Sequence, residues 1–288
     1  MRFNLLVALV LAVSAACSGP HTHSQSGSSE PVAEATSRVV LVSEAEWQQL
    51  NPKRGDKSPR AATLWGDRDG PGPSGFLLKP VDGFSSPPHV HTAPYHGVVI
   101  SGTIHNAEPS ASDLFLPPGS FWTQPEGGVH ITACKGDCLA YIEFEGGYDV
   151  LPVEHATGDP VTAVTMQPTS IPWGDPSGTT ASANGPKVAE LWGAPQGDQP
   201  GGSLVRLPAG KTGTIRSDSG AFHAVAIDGR AKHREVGKNH VTPLDPGTYF
   251  MAQAGSEHRV SCVEEADCTL YVRSRGSLQV SSAGQVEP

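Results

Sequence analysis

The chain has 288 residues, a formal net charge of −9, 17% charged and 37% hydrophobic residues. So little charge excludes a solvated disordered chain or a long coiled coil, and an acidic balance without a basic run excludes nucleic acid as a partner. With 33 Gly and 26 Pro, this is the composition of a turn-rich, mostly β protein, and the length suits about two domains.

The chain opens on a leader pattern. Arg2 precedes an apolar run from Leu5 to Val13, too short to span a bilayer, followed by Ser14-Ala15-Ala16-Cys17. Residues 1–17 read as a secretory signal peptide, with Cys17 as the lipid-bearing residue of a lipobox. Simple secretion is the alternative, because Ser14 stands where such boxes carry Leu. The expected location is therefore exported, as a periplasmic or cell-envelope lipoprotein or a secreted protein, with membrane contact only through Cys17. Residues 18–37 are Ser-rich and read as a flexible linker. His21 and His23 lie on it at a spacing that suits a metal, but on a mobile tether they are expected to bind nothing specific.

Ser43-Glu44-Ala45-Glu46 is a capping-box pattern and predicts a short helix ended by Asn51-Pro52. Beyond it lie short β-rich runs divided by Gly and Pro: 75–79, 97–100, 119–123, 129–133 and 139–144. The pattern then repeats. Leu64-Trp65-Gly66 recurs as Leu191-Trp192-Gly193, and Gly83/Gly210, His96/His223 and Gly102/Gly229 keep the same offset of 127. Gly127/Gly255, His130/His258 and Cys134/Cys262 follow at 128. Two copies of one domain are expected, at 38–160 and 185–282, joined by a Pro-rich linker over 161–184 that packs through Ile171 and Trp173. Many short strands at close spacing point to a sandwich or barrel.

With Cys17 set aside, four cysteines remain. Cys134/Cys138 and Cys262/Cys268 each bracket a short polar turn, which predicts two hairpin-stapling disulfides in an oxidising compartment. A four-thiolate zinc site is the weaker rival.

In copy one His89 and His91 are two apart, so on a strand both rings share a face. His130 follows behind the turn at Pro125-x-Gly127. Three converging imidazoles suit a divalent transition metal. Trp122 and His105 read as core and loop residues. Gln124 has no assigned direction.

These segments resemble the two motifs of the cupin superfamily, G-x5-H-x-H-x3/4-E-x6-G and G-x5-P-x-G-x2-H-x3-N. Gly83, His89, His91 and Gly102 match the first. Gly119, Pro125, Gly127 and His130 match the second, with Cys134 at its final Asn. The stretch from Leu116 to Leu151, with 87–102 before it, is similar to a ChrR-like group of cupins. The resemblance implies an all-β fold of two tandem double-stranded β-helix (jelly-roll, cupin) domains with His89, His91 and His130 as metal ligands. It also leaves a homodimer through sheet edges open to the chain.

The motif Glu is missing. Tyr95 or His96 stands in its slot, and the spacing to Gly102 favours Tyr95. Tyr95 has three open roles: phenolate ligand, hydrogen-bond partner of a ligand, or pocket wall. His96 is either a fourth nitrogen or points outward. The two are the candidates for proton transfer. Loss of the carboxylate argues against oxalate-type manganese chemistry and leaves Fe, Zn, Ni or Cu. By the constant offset, the His89 and His91 slots of copy two hold Arg216 and Asp218, read as an ion pair plugging a degenerate site, with a carboxylate-reading pocket as the sharper alternative. His223 and His258 survive there, and His233 and His240 read as solvated. Two functions follow: a metal-dependent, oxygenase-type enzyme acting on a small organic substrate, or a non-catalytic cupin that binds or senses a metal or small ligand.

Overall fold

The computed structural model describes residues 37–111, 114–157, 163–179, 182–193 and 199–283. The leader, Cys17, His21, His23 and nearly all of the first linker lie outside the described residues. In chain order the first strands are β1 (Arg38–Val40), β2 (Gln48–Gln49), β3 (Arg60–Gly66), β4 (Ser74–Lys79), β5 (Tyr95–Ala107), β6 (Phe121–Gln124), β7 (Ile131–Phe144) and β8 (Thr165–Met166). They are followed by β9 (Lys187–Gly193), β10 (Pro200–Leu207), β11 (Thr212–Ser217), β12 (Phe222–Asp228) and β13 (Ala231–Glu235). The last are β14 (Thr242–Leu244), β15 (Tyr249–Ala252), β16 (Glu257–Cys262), β17 (Cys268–Arg275) and β18 (Leu278–Ser282). The only helices among the described residues are short 3-10 turns. The helix predicted at Ser43 is one of them, Val42–Glu44, and its cap residue is Leu41, without a side-chain cap bond.

The fold is a pair of jelly rolls. One sheet of copy one runs β2-β3-β4-β7-β5-β6-β8, and its counterpart in copy two runs β9-β10-β17-β12-β15-β1. Apart from β2 the two orders correspond strand for strand. The edge strands are exchanged: β1 precedes copy one but pairs with β15, while β8 precedes copy two and pairs with β6. Each copy thus completes the other's sheet and covers its edge. The linker carries this exchange, and its Ile171 is buried in the shared core with Trp173 packed on it.

Alternation along the strands builds two interiors and a seam. On β5 Tyr95 and Val99 enter the interior of copy one, whereas Val98 and Ile100 enter the seam. On β12 Phe222, Ala224 and Ala226 face the interior of copy two, and Val225 and Ile227 face the seam. Equivalent residues share this core, Leu64 and Leu191 among them, and Tyr141 meets Tyr271 with ring centroids 5.3 Å apart.

Both disulfides form as paired in the sequence. They staple corners between layers rather than hairpins. Residues 129–133 and 139–144, expected as separate strands, belong largely to the continuous β7, which passes through Cys134–Cys138 with bulges in its pairing to β5. Gly102 sits at that corner with φ +66°, and a Cβ there would press into the Cys138 backbone and sulfur.

Candidate metal centre

The second layer of copy one brings the histidines together. Ser85 bridges to Ala133, and His89 bridges to His130. In a regular antiparallel ladder Pro88 would oppose His130, so one extra residue is accommodated at Ser86-Pro87-Pro88. Proline has no N–H to give a ladder, and this is where a bulge forms. Beyond it the ladder resumes with reciprocal backbone bonds of 3.0 and 3.1 Å between His89 and His130, now with the His89 and His91 rings turned inward.

The rings converge: His89 and His130 centroids are 4.2 Å apart, His89 and His91 5.0 Å, and His91 and His130 5.1 Å. A nitrogen from each lies within 4.8 Å of the others. All three are buried, at 7%, 5% and 0% exposure. Each has its Nδ1 on a backbone carbonyl: His89 on Pro87 (3.0 Å), His91 on Asp149, and His130 on Gly128 (3.0 Å). A carbonyl only accepts, so each Nδ1 carries the proton and each Nε2 presents a lone pair. All three pKa values are lowered, chiefly by burial; with the neighbouring rings adding to the effect, His91 falls to about 4 and His130 to about 2. The rings are neutral at pH 7, as metal ligands must be.

Tyr95 stands over His130. Its hydroxyl is 2.8 Å from Asn106 Oδ1 and 3.1 Å from His130 Nε2. Thr132 donates to the same Asn106 oxygen at 2.9 Å, and Asn106 Nδ2 donates to Gln124 at 3.3 Å. Burial holds the phenol protonated well above its usual range. One phenolic proton serves Asn106, which leaves the His130 Nε2 lone pair without a donor. A cation shared with His89 and His91 satisfies it, so the donor set fits a divalent transition metal.

His96 lies on the other face of β5, away from this centre, and is no fourth nitrogen. Its ring stacks on Trp192 at 4.0 Å, as His223 of copy two stacks on Trp65 at 4.5 Å. Burial lowers the His96 pKa to about 4. It sits with Glu143 and Glu145 in a second potential ligand cluster, but both carboxylates are engaged. Arg273 is ion-paired to Glu145 and reaches Glu143 at 3.3 Å, and Tyr141 and Tyr271 donate to Glu143 at 2.8 and 2.5 Å. This is the polar centre of the seam.

The residues missed in the sequence are the anchors: Asn106, Thr132, Asp149 and the carbonyls of Pro87 and Gly128. Only the Pro-Pro dipeptide ahead of His89 carried a signal. Gln124 turns inward and donates to Gly128 O at 2.9 Å. Trp122 lines the cavity above the histidines. His105 is a buried strand residue rather than a loop residue, bonded to Leu114 O at 2.9 Å.

Copy two has no such bulge. Thr212 opposes Ser261 and Ile215 opposes His258 in an uninterrupted ladder, so the counterparts of His89 and His91 are Ile215 and Ser217, both fully buried. Arg216 and Asp218 do pair, at 3.0 Å, but both are exposed and plug nothing. His233 is not solvated: it is 4% exposed and bonded to His258 at 2.8 Å.

A cavity of about 340 Å³ opens over the centre, walled mainly by Phe76, Phe84, Phe144, Tyr148 and Trp122. Among the described residues no helix is long and apolar enough to cross a membrane.

Solved structures with this fold include a candidate dioxygenase from Nostoc punctiforme (15% identity, 87% of each chain covered, TM-score 0.61). They also include the Lactobacillus farciminis oxalate decarboxylase formate complex (10%, 85% of this chain and 88% of that one, 0.55). A third is the Brassica napus 11S globulin procruciferin (8%, 86% and 87%, 0.53). At such identities they establish the fold, a cupin jelly roll in two copies, and not the chemistry. No curated protein matches it. The family described as a domain of unknown function, DUF4437, matches residues 38–281, and the chain belongs to that family.

Proposed function

We propose that this cupin holds one divalent transition metal on Nε2 of His89, His91 and His130 and acts on a small organic substrate in the cavity above it, as an oxygenase-type enzyme. The observation that carries the reading is the anchoring of all three Nδ1 protons on backbone carbonyls, which aims three neutral lone pairs at one point. When bound, such an ion supplies Lewis acidity and, if redox-active, dioxygen chemistry. The protein's part is to exclude water with aromatic walls, orient the rings, and hold the Tyr95 hydroxyl, bonded to Asn106, beside His130. His96 has no part in it.

A second reading, a binding or sensing module, is favoured by one observation: among the described residues no carboxylate lines the cavity, where a general base of the usual kind would stand. Within the superfamily the ChrR-like group is our preferred placement, on the run from Leu116 to Leu151. We also read the chain as exported, a reading supported by its two disulfides.

The test is metal content of the purified full chain and of His89→Ala/His91→Ala, followed by oxygen uptake with wild type and Tyr95→Phe. About one equivalent of metal in wild type, lost in the double variant, is expected. No metal in wild type, under conditions that supply it, removes the reading. Uptake lost in a Tyr95→Phe variant that keeps its metal supports the enzyme over the sensor.

A further inference from the structure

We infer that the ligand of the copy-one cavity is a ring-bearing, largely apolar monocarboxylate, held with its ring among the phenylalanines and its carboxylate at Arg54. The inference rests on the proposed centre only for the end of the cavity that the histidines form.

Size comes first. At ~30 Å³ per water, 340 Å³ holds on the order of ten waters. That is generous for a two-carbon diacid and suits one ring with a short side chain. The walls come second. Phe76, Phe84, Phe144 and Tyr148 offer aromatic faces, and Leu78 and Ile142 add aliphatic surface. Polar groups are few, so a sugar would leave most of its hydroxyls unpaired.

Charge decides the rest. Imidazoles aside, Arg54 is the one charged residue lining the cavity among the described residues. It is exposed, whereas His89 and His91 are buried, so the cation marks the mouth and the rings mark the floor. Its guanidinium lies 5.4 Å over the Phe84 ring, and among the described residues it makes no ion pair. A guanidinium fork there can read one carboxylate that stays partly in water. A second carboxylate part-way between Arg54 and the histidines would be buried among phenylalanines without a cation beside it, and a cationic ligand would meet Arg54 as a like charge. Arg68 stands behind Phe76, 5.9 Å from its ring, outside the lining.

The probes are 3-phenylpropionate, its neutral analogue 3-phenylpropan-1-ol, and oxalate, titrated calorimetrically into the zinc-treated full chain at low salt. The acid should bind about tenfold more tightly than the alcohol, a typical charge-assisted gain. Arg54→Gln should abolish that preference and Arg54→Lys should keep part of it, while oxalate fails to displace the acid. Absence of binding by either aromatic, equal affinities for acid and alcohol, an acid preference that survives Arg54→Gln, or tighter binding of oxalate would each overturn the inference. Zinc retained on dialysis of the same samples reports on the centre separately. Acid preference without zinc would remove the proposed centre and leave this inference standing. Zinc without acid preference would do the reverse.

Discussion

In copy one the residue facing His130 across the ladder is His89, and in copy two the residue facing His258 is Ile215. The flanking landmarks agree: Gly127 N donates to His91 O at 2.9 Å, and Gly255 N donates to Ser217 O at 2.7 Å. Between Gly83 and Tyr95, and between Gly210 and Phe222, the chain lengths are the same. Copy one places its extra residue before the ladder, in the Pro87-Pro88 bulge. Copy two places it after, in the turn Asp218-Ser219-Gly220. Side chains alternate faces along a strand, so that one-residue transfer decides which of them look into the barrel. The convergence of three imidazoles in this fold therefore depends on a bulge as much as on the histidines themselves.

The two copies share one thing fully, the seam, and the largest effect is expected there. His96 and His223 are both lowered to about 4, and His233 in the second interior to about 3, by burial. Unfolding lets each return to about 6.5. Protons then favour the unfolded chain below that value. Stability should be flat above pH 7 and fall as pH drops through 6.5 towards 4, by up to about 1.4 kcal/mol per pH unit for each ring. Chemical denaturation across that range checks it, and a midpoint unchanged between pH 7 and pH 4.5 would contradict it.

Next comes the ion pair that has no mirror image: Glu143 of copy one faces Arg273, its structural counterpart in copy two. Arg273→Leu leaves a buried carboxylate uncompensated and should cost about 3–5 kcal/mol. Adding Glu143→Leu to it should recover part of that in the same urea titration.

Deleting Pro88 should straighten the copy-one ladder into the copy-two form. Metal affinity should drop by at least about a hundredfold with the fold retained, as read by dialysis against zinc alongside far-UV circular dichroism. The converse graft sharpens the point. Ile215→His/Ser217→His should add a second metal equivalent in copy two, with His258 as third ligand. Arg216→His/Asp218→His, the pair that constant spacing would choose, should add none. The smallest effect is expected from Asn106→Ala, which frees the Tyr95 hydroxyl without touching a ligand. Zinc affinity should fall by about tenfold.

Much of the fold is legible in the residues. Gly, Pro and short apolar runs announce strands, the LWG repeat announces two copies, and two close cysteine pairs announce their own partners. The three histidines are equally plain, because His-x-His followed by His behind a Pro-x-Gly turn is a local pattern. His96 was not legible in the same way, since a one-residue uncertainty in the motif leaves its face undetermined. The seam settles it, by stacking the ring on Trp192 from the other copy. His233 looked solvated because its neighbours are polar, yet its strand turns it onto Phe250, 4.1 Å between centroids.

What the sequence determined alone is whatever spacing along one strand controls: strand existence, the repeat, the disulfide pairs and the three imidazoles. Register, the exchange of β1 and β8 between the copies, the Asn106–Tyr95 anchor and the burial of Glu143 against Arg273 belong to the tertiary structure. These join residues from 11 to more than 200 positions apart. Such contacts depend on which face a strand presents, and a single bulge reverses that face without changing the residue count.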